Sequence, residues 1–495
     1  MLRWRHVALC VTSVLACLLL YNRKVAPAAR RSDHLGTCTS PVPPLHLQEL
    51  NLVPTTTALQ RVQSMEDLCS WYLERDGAAL REMFHVDCSR SRSSIPAQML
   101  EKLHSQRKNA SLFADQQSIR ISNLWVPAES LAFNRARAMR FGAAAQSSLM
   151  SRTQSLMLFL DSLSCPTSSD FCDPTSRTMA LEKIGYLTGS AHAVAFANMG
   201  RLTPTHGVVA TTKTSNPLRL SRDDTAGLFS TAHDWFVRAH GAYGEVPGEE
   251  AHELPTLTFD LLPAAGASQL HPHLQPHLSR HRYPGKWEAT RLAACAYAAV
   301  AESSSVMITH PSDRSYSYSY YSRLIEVHAQ LGLTIARTDN FVAFVSLTSA
   351  GNGVELAILG SGALVRPSAR SSALAAELGG VFHDVVVVGA RAALGWTAFS
   401  SSCTFPPMLP TTNEATSRRR RGLLEGGMPR YCKIVQRTQA PGSYVEGFGP
   451  EGWVMDGVSD ISANELYETP VVSTDLFEAA SRLRAQISSA PTKGL

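Results

Sequence analysis

The chain has 495 residues, 44% hydrophobic and 18% charged, a composition that fits two or three globular domains with a sizeable core and not a disordered or fibrous chain. A net charge of +5 is mild, and two short basic patches account for nearly all of it, so nucleic acid is not implied as a partner.

Residues 1–32 contain no acid, and an apolar run over 7–21 is flanked by Arg3 and Arg5 before and by Arg23, Lys24, Arg30 and Arg31 after. Fifteen residues is short against the roughly twenty that span a bilayer. A single-pass N-terminal membrane anchor is the expectation, with a cleaved signal peptide and an acid-poor organelle transit sequence as alternatives. The flanking charges are balanced and leave the orientation open, although the secretory pathway fits best. Outside this run eight cysteines are dispersed along the chain; an even count permits disulfides in a lumen, and their spacing shows no metal-ligand pairing. Cys165 and Cys172 are close enough to bridge a short loop, and Asn109-Ala110-Ser111 is a glycosylation sequon.

Residues 33–60 read as a linker punctuated by Pro41, Pro43, Pro44 and Pro54. Helical spacing of Val62, Met65, Leu68, Trp71, Tyr72 and Leu80 predicts a helix over 61–84, and 89–94 is an Arg/Ser loop. Residues 33–125 form a linker and helical accessory region, and a further helix over 127–148 opens the core domain. From residue 179 the pattern turns to strands, 191–197 and 207–212, followed by a helix over 221–240 and an acidic loop over 244–253.

An extended run over 257–261 and a small-residue turn over 263–268 lead into Gln269-Leu270-His271-Pro272-His273-Leu274-Gln275. A strand resuming at Leu270 would place His271, His273 and Gln275 on one face and Pro272 and Leu274 on the other. A neutral imidazole attacks phosphorus near pH 7 and can form a phosphoramidate, splitting one difficult transfer into two easier ones. The Gln275 amide donates hydrogen bonds but carries no transferable proton, which disfavours water and favours another acceptor. Two other readings use the same residues: a histidine-rich surface loop continuing through His277 and His281, or a divalent-metal site built from His271, His273, His277 and His281.

Beyond the motif, 287–302 is an Ala-rich helix, 315–322 a Tyr/Ser repeat that forms an exposed strand or a loop that stacks on a base, and 321–333 a helix. Strands over 340–347 and 353–359, a helix over 371–382 and an apolar strand over 385–388 follow. Residues 406–428 are a loop holding Arg418 to Arg421, and 475–487 is an amphipathic helix.

The decamer Gly266-Ala267-Ser268-Gln269-Leu270-His271-Pro272-His273-Leu274-Gln275 resembles the active-site motif of the histidine-triad superfamily, in the branch of galactose-1-phosphate uridylyltransferase and the diadenosine tetraphosphate phosphorylases. The resemblance implies an α+β fold with two histidine-triad-like units in one chain, each an antiparallel sheet with packed helices, over residues 126–285 and 286–495. It implies His273 as nucleophile, His271 and Gln275 as its catalytic partners, and Ser268 and Gln269 as substrate contacts. The stretch from Asn198 to Thr211 also resembles the family's strand pair, where His206 is either a hydrogen-bonded turn histidine or a substrate contact. The implied substrate is a nucleoside diphosphate sugar or dinucleoside polyphosphate, with phosphate or a sugar phosphate as acceptor. In the second unit Tyr431-Cys432-Lys433 stands where the motif would recur, so that half should be catalytically silent. One stretch departs from the pattern: relatives usually have Phe-X-Asn-X-Gly where this chain reads Phe259-Asp260-Leu261-Leu262-Pro263. That departure leaves open a catalytically degenerate, membrane-tethered nucleotide-binding protein.

Overall fold

The computed structural model describes residues 42, 45, 47–50, 62–74, 77–105, 109–127, 129–135, 160–161, 169–243, 253–262, 265–303, 319–351, 353–361, 369–408, 427–437, 444–445, 454–455, 470–472 and 474–489. The N-terminal apolar run, most of the linker, Cys38, Cys165, the acidic loop before Glu253, Tyr316, Tyr318 and the arginine run lie outside the described residues.

Strands β1 (Phe84–Arg92), β2 (Asp115–Asn123) and β3 (Ser130–Asn134) form an outer antiparallel sheet. Val471–Val472 adds to β3 in parallel. Three expectations change here. The helix over 61–84 is two helices, Met65–Leu73 and Ala78–Met83; at the break, a side chain on Gly77 would meet the Trp71 carbonyl oxygen at 2.7 Å. The Arg/Ser loop is the exposed half of β1, where Arg90 pairs with Asp115 at 3.3 Å, and charge on a strand resists unwanted edge pairing. The start of the helix over 127–148 is β3: Leu131 and Phe133 are buried with strand period, while 136–148 lies outside the described residues.

The main sheet has ten strands in the order β4-β5-β6-β8-β7-β12-β13-β11-β10-β9. These are β4 (Leu187–Ser190), β5 (Ala193–Ala197), β6 (Gly207–Thr211), β7 (Leu254–Leu261), β8 (His273–Ser279), β9 (Thr334–Arg337), β10 (Phe341–Val345), β11 (Glu355–Gly360), β12 (Phe399–Thr404) and β13 (Arg430–Gln436). Read from either edge, the strand order is the same: three consecutive strands, then the fifth, then the fourth, with a long helix between the third and fourth. Strands β7 and β12 pair antiparallel at the centre, from Thr256 opposite Thr404 to Leu261 opposite Phe399.

Because the sheet is covered on both sides, its strands carry few surface residues. On one face, helices Arg222–Tyr243 and Ala369–Phe382 pack against strand residues such as Leu257, Phe259, Leu274 and Ile358. The first helix opens on a capping box: the Ser221 hydroxyl accepts from Asp224 N at 3.1 Å, while Asp224 Oδ2 accepts from Ser221 N at 3.2 Å. Residues 385–388, expected as a strand, instead form part of an eight-residue π-helical stretch, His383–Ala390, that continues the preceding helix. A short apolar run reads alike in a buried strand and a buried helix, and here the helix already in progress decides. Length and a mean hydropathy of 1.5 would let Arg370–Leu394 cross a bilayer, but it packs against helices Arg222–Tyr243 and Leu476–Ser489 as a core element.

On the other face lie helices Gly285–Ser303 and Tyr320–Gln330. Tyr320, expected in an exposed or base-stacking segment, is fully buried beside Tyr321 at the start of the second helix, which Ser319 caps. Lys433 of β13 ties the outer sheet to this face. It pairs with Glu129 in the loop before β3 and lies 3.9 Å from Glu355 of β11; Asn123 Nδ2 donates to Glu129 at 3.1 Å and to the Tyr320 hydroxyl at 3.0 Å.

Disulfides add to the packing. Cys69–Cys88 joins the helix Met65–Leu73 to β1, and Cys403–Cys432 links directly opposed residues of β12 and β13; Cys172 and Cys295 are also disulfide-bonded.

Two substitutions test this packing. A Cβ at Gly379 would lie 2.7 Å from the Thr225 carbonyl oxygen and 2.8 Å from Ala226 Cα of the facing helix. Gly379→Ala gains up to about 1 kcal/mol of helix propensity but incurs about 1–3 kcal/mol of overpacking, so the urea midpoint should fall. Lys433→Met strands two buried carboxylates and should cost about 3–5 kcal/mol in the same assay; an unchanged midpoint would show that the pair does not hold the outer sheet.

Candidate functional site

The candidate site is built on β8 and its neighbour β6, where Ala210 stands opposite His273 and Val209 opposite Leu274. Strand β8 begins at His273 rather than at Leu270, so His271 and Pro272 lead into it. Period-two alternation still holds from His273 onward: Leu274 and Leu278 join the core, while His273, Gln275 and His277 share the opposite face.

His271 and His273 are both buried, and the backbone fixes their tautomers. A carbonyl oxygen can only accept, so His271 Nε2, 2.8 Å from Thr211 O, carries its ring proton. The Thr211 hydroxyl gives its own proton to Thr214 O and accepts at 3.1 Å from the same His271 nitrogen. His273 Nδ1 likewise donates to His271 O at 2.8 Å. The lone pair of neutral His273 is therefore on Nε2. Burial lowers the pKa of both rings, and the positive charge His273 would carry lowers His271 further, so both are neutral at pH 7.

A short segment over 169–172 covers these rings. Phe171 meets His273 edge-on at 5.1 Å between centroids and His271 at 6.0 Å, and packs against Phe196 of β5. Cys172 Sγ lies 3.7 Å from His271 Nδ1. Ser169 Oγ donates to Gln269 Oε1 at 3.4 Å, which turns the Gln269 side chain toward this cover, while Ser268 stays exposed on the turn.

Gln275 is held from the side. His206 Nδ1 accepts from Leu202 N at 3.0 Å, so the proton of the neutral ring is on Nε2, 3.2 Å from Gln275 Oε1. Asn198 Oδ1 accepts from Gly200 N at 2.8 Å, which fixes the amide so that Nδ2 donates to the same Gln275 oxygen at 3.0 Å. Both bonds converge on Oε1 and leave the Gln275 amide nitrogen as a donor. Burial lowers the His206 pKa, opposed by its bond to Gln275. His206 is thus a buried turn histidine in contact with a motif residue.

Several site features were not evident in the sequence. Asn198 gave a signal only as a polar residue opening a Gly-containing turn, and Phe171 and Thr211 gave none, because each reaches the histidines through tertiary packing. In the stretch leading to the motif, Leu261 and Leu262 are buried, and Leu262 adopts φ +72°, a strained conformation for a bulky residue. Asp260, whose pKa burial raises, lies between Ser400 and Arg437.

The surface-loop and metal readings do not describe this arrangement. His277 is buried on β8 with its ring 5.6 Å from that of His206, whereas His281 lies beyond the strand, exposed and at φ +58°. Among the described residues no group of three or more His, Cys, Asp or Glu side chains is placed to hold a metal ion. In the second half, Cys432 is in a disulfide and Lys433 is ion-paired. A cavity of about 700 Å³ lies on the outer sheet, lined by Asp87, Met99, Phe113, Arg120 and Phe133, away from the histidines.

No protein-family model matches the chain, and no curated protein matches it. Among solved structures it is similar to an ADP-glucose phosphorylase from Arabidopsis thaliana with bound ADP-glucose, at 12% identity over 73% of this chain and 96% of that one, with a TM-score of 0.44. It is also similar to a uridylyltransferase, at 13% identity over 58% and 76% with a TM-score of 0.37, and to yeast Ap4A phosphorylase in complex with Ap4A, at 10% identity over 89% and 96% with a TM-score of 0.27.

Burial makes stability depend on pH. The His277 pKa falls to about 4, chiefly through burial and then through repulsion by His206, and burial brings His328 to about 4 as well. An unfolded histidine protonates near 6.5. Below that pH the unfolded state binds more protons, so stability is complete above about 6.5 and is lost as pH falls toward 4, by about 3 kcal/mol for His277 alone. Urea midpoints measured from pH 7 to 4 should fall, and His277→Gln should flatten the slope.

Proposed function

We propose that this protein is a nucleotidyltransferase or phosphorylase that works through a covalent nucleotidyl-histidine on His273. The donor is a nucleoside diphosphate sugar or dinucleoside polyphosphate, and the acceptor is phosphate or a sugar phosphate. The observation that carries this reading is the bond from His273 Nδ1 to His271 O, because it leaves an unprotonated Nε2 on a neutral, oriented ring. In the first step Nε2 attacks the α-phosphorus, a P–N bond forms, and the P–O bond to the leaving sugar phosphate or nucleotide breaks. An acceptor oxygen then attacks the same phosphorus and the P–N bond breaks, returning the electron pair to Nε2.

Gln275 suits the phosphoryl oxygens in both steps. With Oε1 held by His206 and Asn198, its amide nitrogen donates to a non-bridging oxygen, where charge builds in the transition state. It has no proton to pass, so water is a poor acceptor and transfer prevails. His271 acts as a positioning residue through its carbonyl. Ser268 and Gln269, on the turn before the histidines, contact the rest of the substrate. We further infer that the matching strand orders record a duplication whose second half has no nucleophile. An N-terminal anchor would tether the protein in an oxidising compartment, a reading supported by the disulfide-bonded cysteines.

The buried Leu261 and Leu262 favour one other reading, a nucleotide-binding protein without turnover, since neither side chain can hydrogen-bond ribose or phosphate. Labelling separates the two. With a labelled nucleotide donor and no acceptor, the wild type should retain label through an acid-labile, alkali-stable P–N bond. His273→Gly should abolish it, and Gln275→His should shorten its lifetime by restoring a proton-transfer group, whose effect is typically about a hundredfold or more. Binding without label across a panel of nucleotide sugars and dinucleoside polyphosphates would favour the non-catalytic reading; label persisting in His273→Gly would place the nucleophile elsewhere.

A further inference from the structure

Of the eleven asparagines in the sequence, only Asn109 begins an Asn-X-Ser/Thr triplet, and neither Ala110 nor the following Leu112 is a proline that would block it. Asn109 and Ser111 are both exposed, at the start of the short helix Ser111–Ala114 that leads into β2. Asn109 Oδ1 accepts two bonds from Ser111, at 3.1 Å from its backbone nitrogen and 2.8 Å from its hydroxyl. Both draw electron density toward the amide oxygen and so make the Nδ2 protons more acidic. They also commit Oδ1 to the turn and leave Nδ2 as the reactive end. Asn109 itself is outside the core, so a large polar group on it displaces no packed side chain.

A second set of observations concerns the compartment. Cys69–Cys88 and Cys403–Cys432 are bridged, and Cys172 and Cys295 are also oxidised. Such disulfides persist in secretory lumens and are rare in the cytosol. The same lumen holds the lipid-linked oligosaccharide donors of N-glycosylation. Cys88 lies on β1, which pairs along its length with β2, so a redox marker and the sequon fall in the same outer sheet and its entry segment.

We infer that Asn109 carries an N-linked oligosaccharide, and that the domain after the N-terminal apolar run therefore faces the lumen. In the modification, Nδ2 loses one proton and bonds to the anomeric carbon of a lipid-diphosphate oligosaccharide, while the sugar–oxygen bond breaks and the lipid diphosphate leaves with its electron pair. The glycan settles the orientation that the balanced charges around the apolar run leave open. The inference depends on the lumenal reading above but not on the His273 chemistry.

The test uses the full chain expressed in eukaryotic cells. Wild-type protein should shift once in gel mobility after treatment with an amidase that removes N-glycans, leaving Asp at position 109. Asn109→Gln and Ser111→Ala should each run at the treated position and be insensitive to the enzyme, whereas Ser111→Thr should keep the shift, since it retains the hydroxyl. Wild-type protein that is insensitive overturns the inference, and alkylation of its thiols then assigns the cause: oxidised cysteines mean that the acceptor failed, reduced cysteines that the compartment did. A shift surviving in Asn109→Gln also overturns it.

Discussion

The antiparallel pairing of β7 with β12 is the contact on which the rest of the architecture depends. It removes one edge from each five-stranded half and produces a single sheet whose two faces have different chemistry. Directly opposed residues share a face, so a line runs from Gln275 through Thr258 and Ser402 to Lys433 and Ala357. Three strand spacings separate Gln275 from Lys433, about 14 Å. On this face the first half presents histidines and an amide, whereas the second presents an ion-paired lysine. The same register places Cys403 and Cys432 on the opposite face with the apolar core.

The polar positions on this face are occupied in two ways. Near Lys433 they are filled and covered: the Trp287 indole donates to Ser402 at 2.8 Å, and Lys433 is enclosed by Glu129, Tyr431 and Trp287. Near His273 the cover is a short segment over 169–172, and Gln275 remains half-exposed. Burial in the second half therefore secures the outer sheet, and in the first half it keeps imidazoles neutral. Both uses are costly if a partner is removed, because the low-dielectric interior that strengthens a satisfied polar group also penalises an unsatisfied one.

Much of the local structure was legible in the sequence. The helix expected over 221–240 is Arg222–Tyr243, and the alternation of His273 and Gln275 with Leu274 anticipated which side chains share a face. Local rules failed where a run had two solutions. The valines over 385–388 continue a helix, the Arg/Ser stretch belongs to an exposed strand, and residues 130–134 pair in a sheet, because the neighbours that settle each case are distant in the chain.

The sequence by itself determined the residues available for chemistry: two histidines and a glutamine at alternate positions, after a small-residue turn. Only tertiary structure decided their protonation and aim. His273 keeps an unprotonated Nε2 because its Nδ1–H donates to the His271 carbonyl, and Gln275 offers its nitrogen because Asn198 and His206, 77 and 69 residues away, occupy its oxygen. Hydrogen bonds of that kind depend on which strands become neighbours, and strand order is a property of the folded sheet that no local pattern encodes.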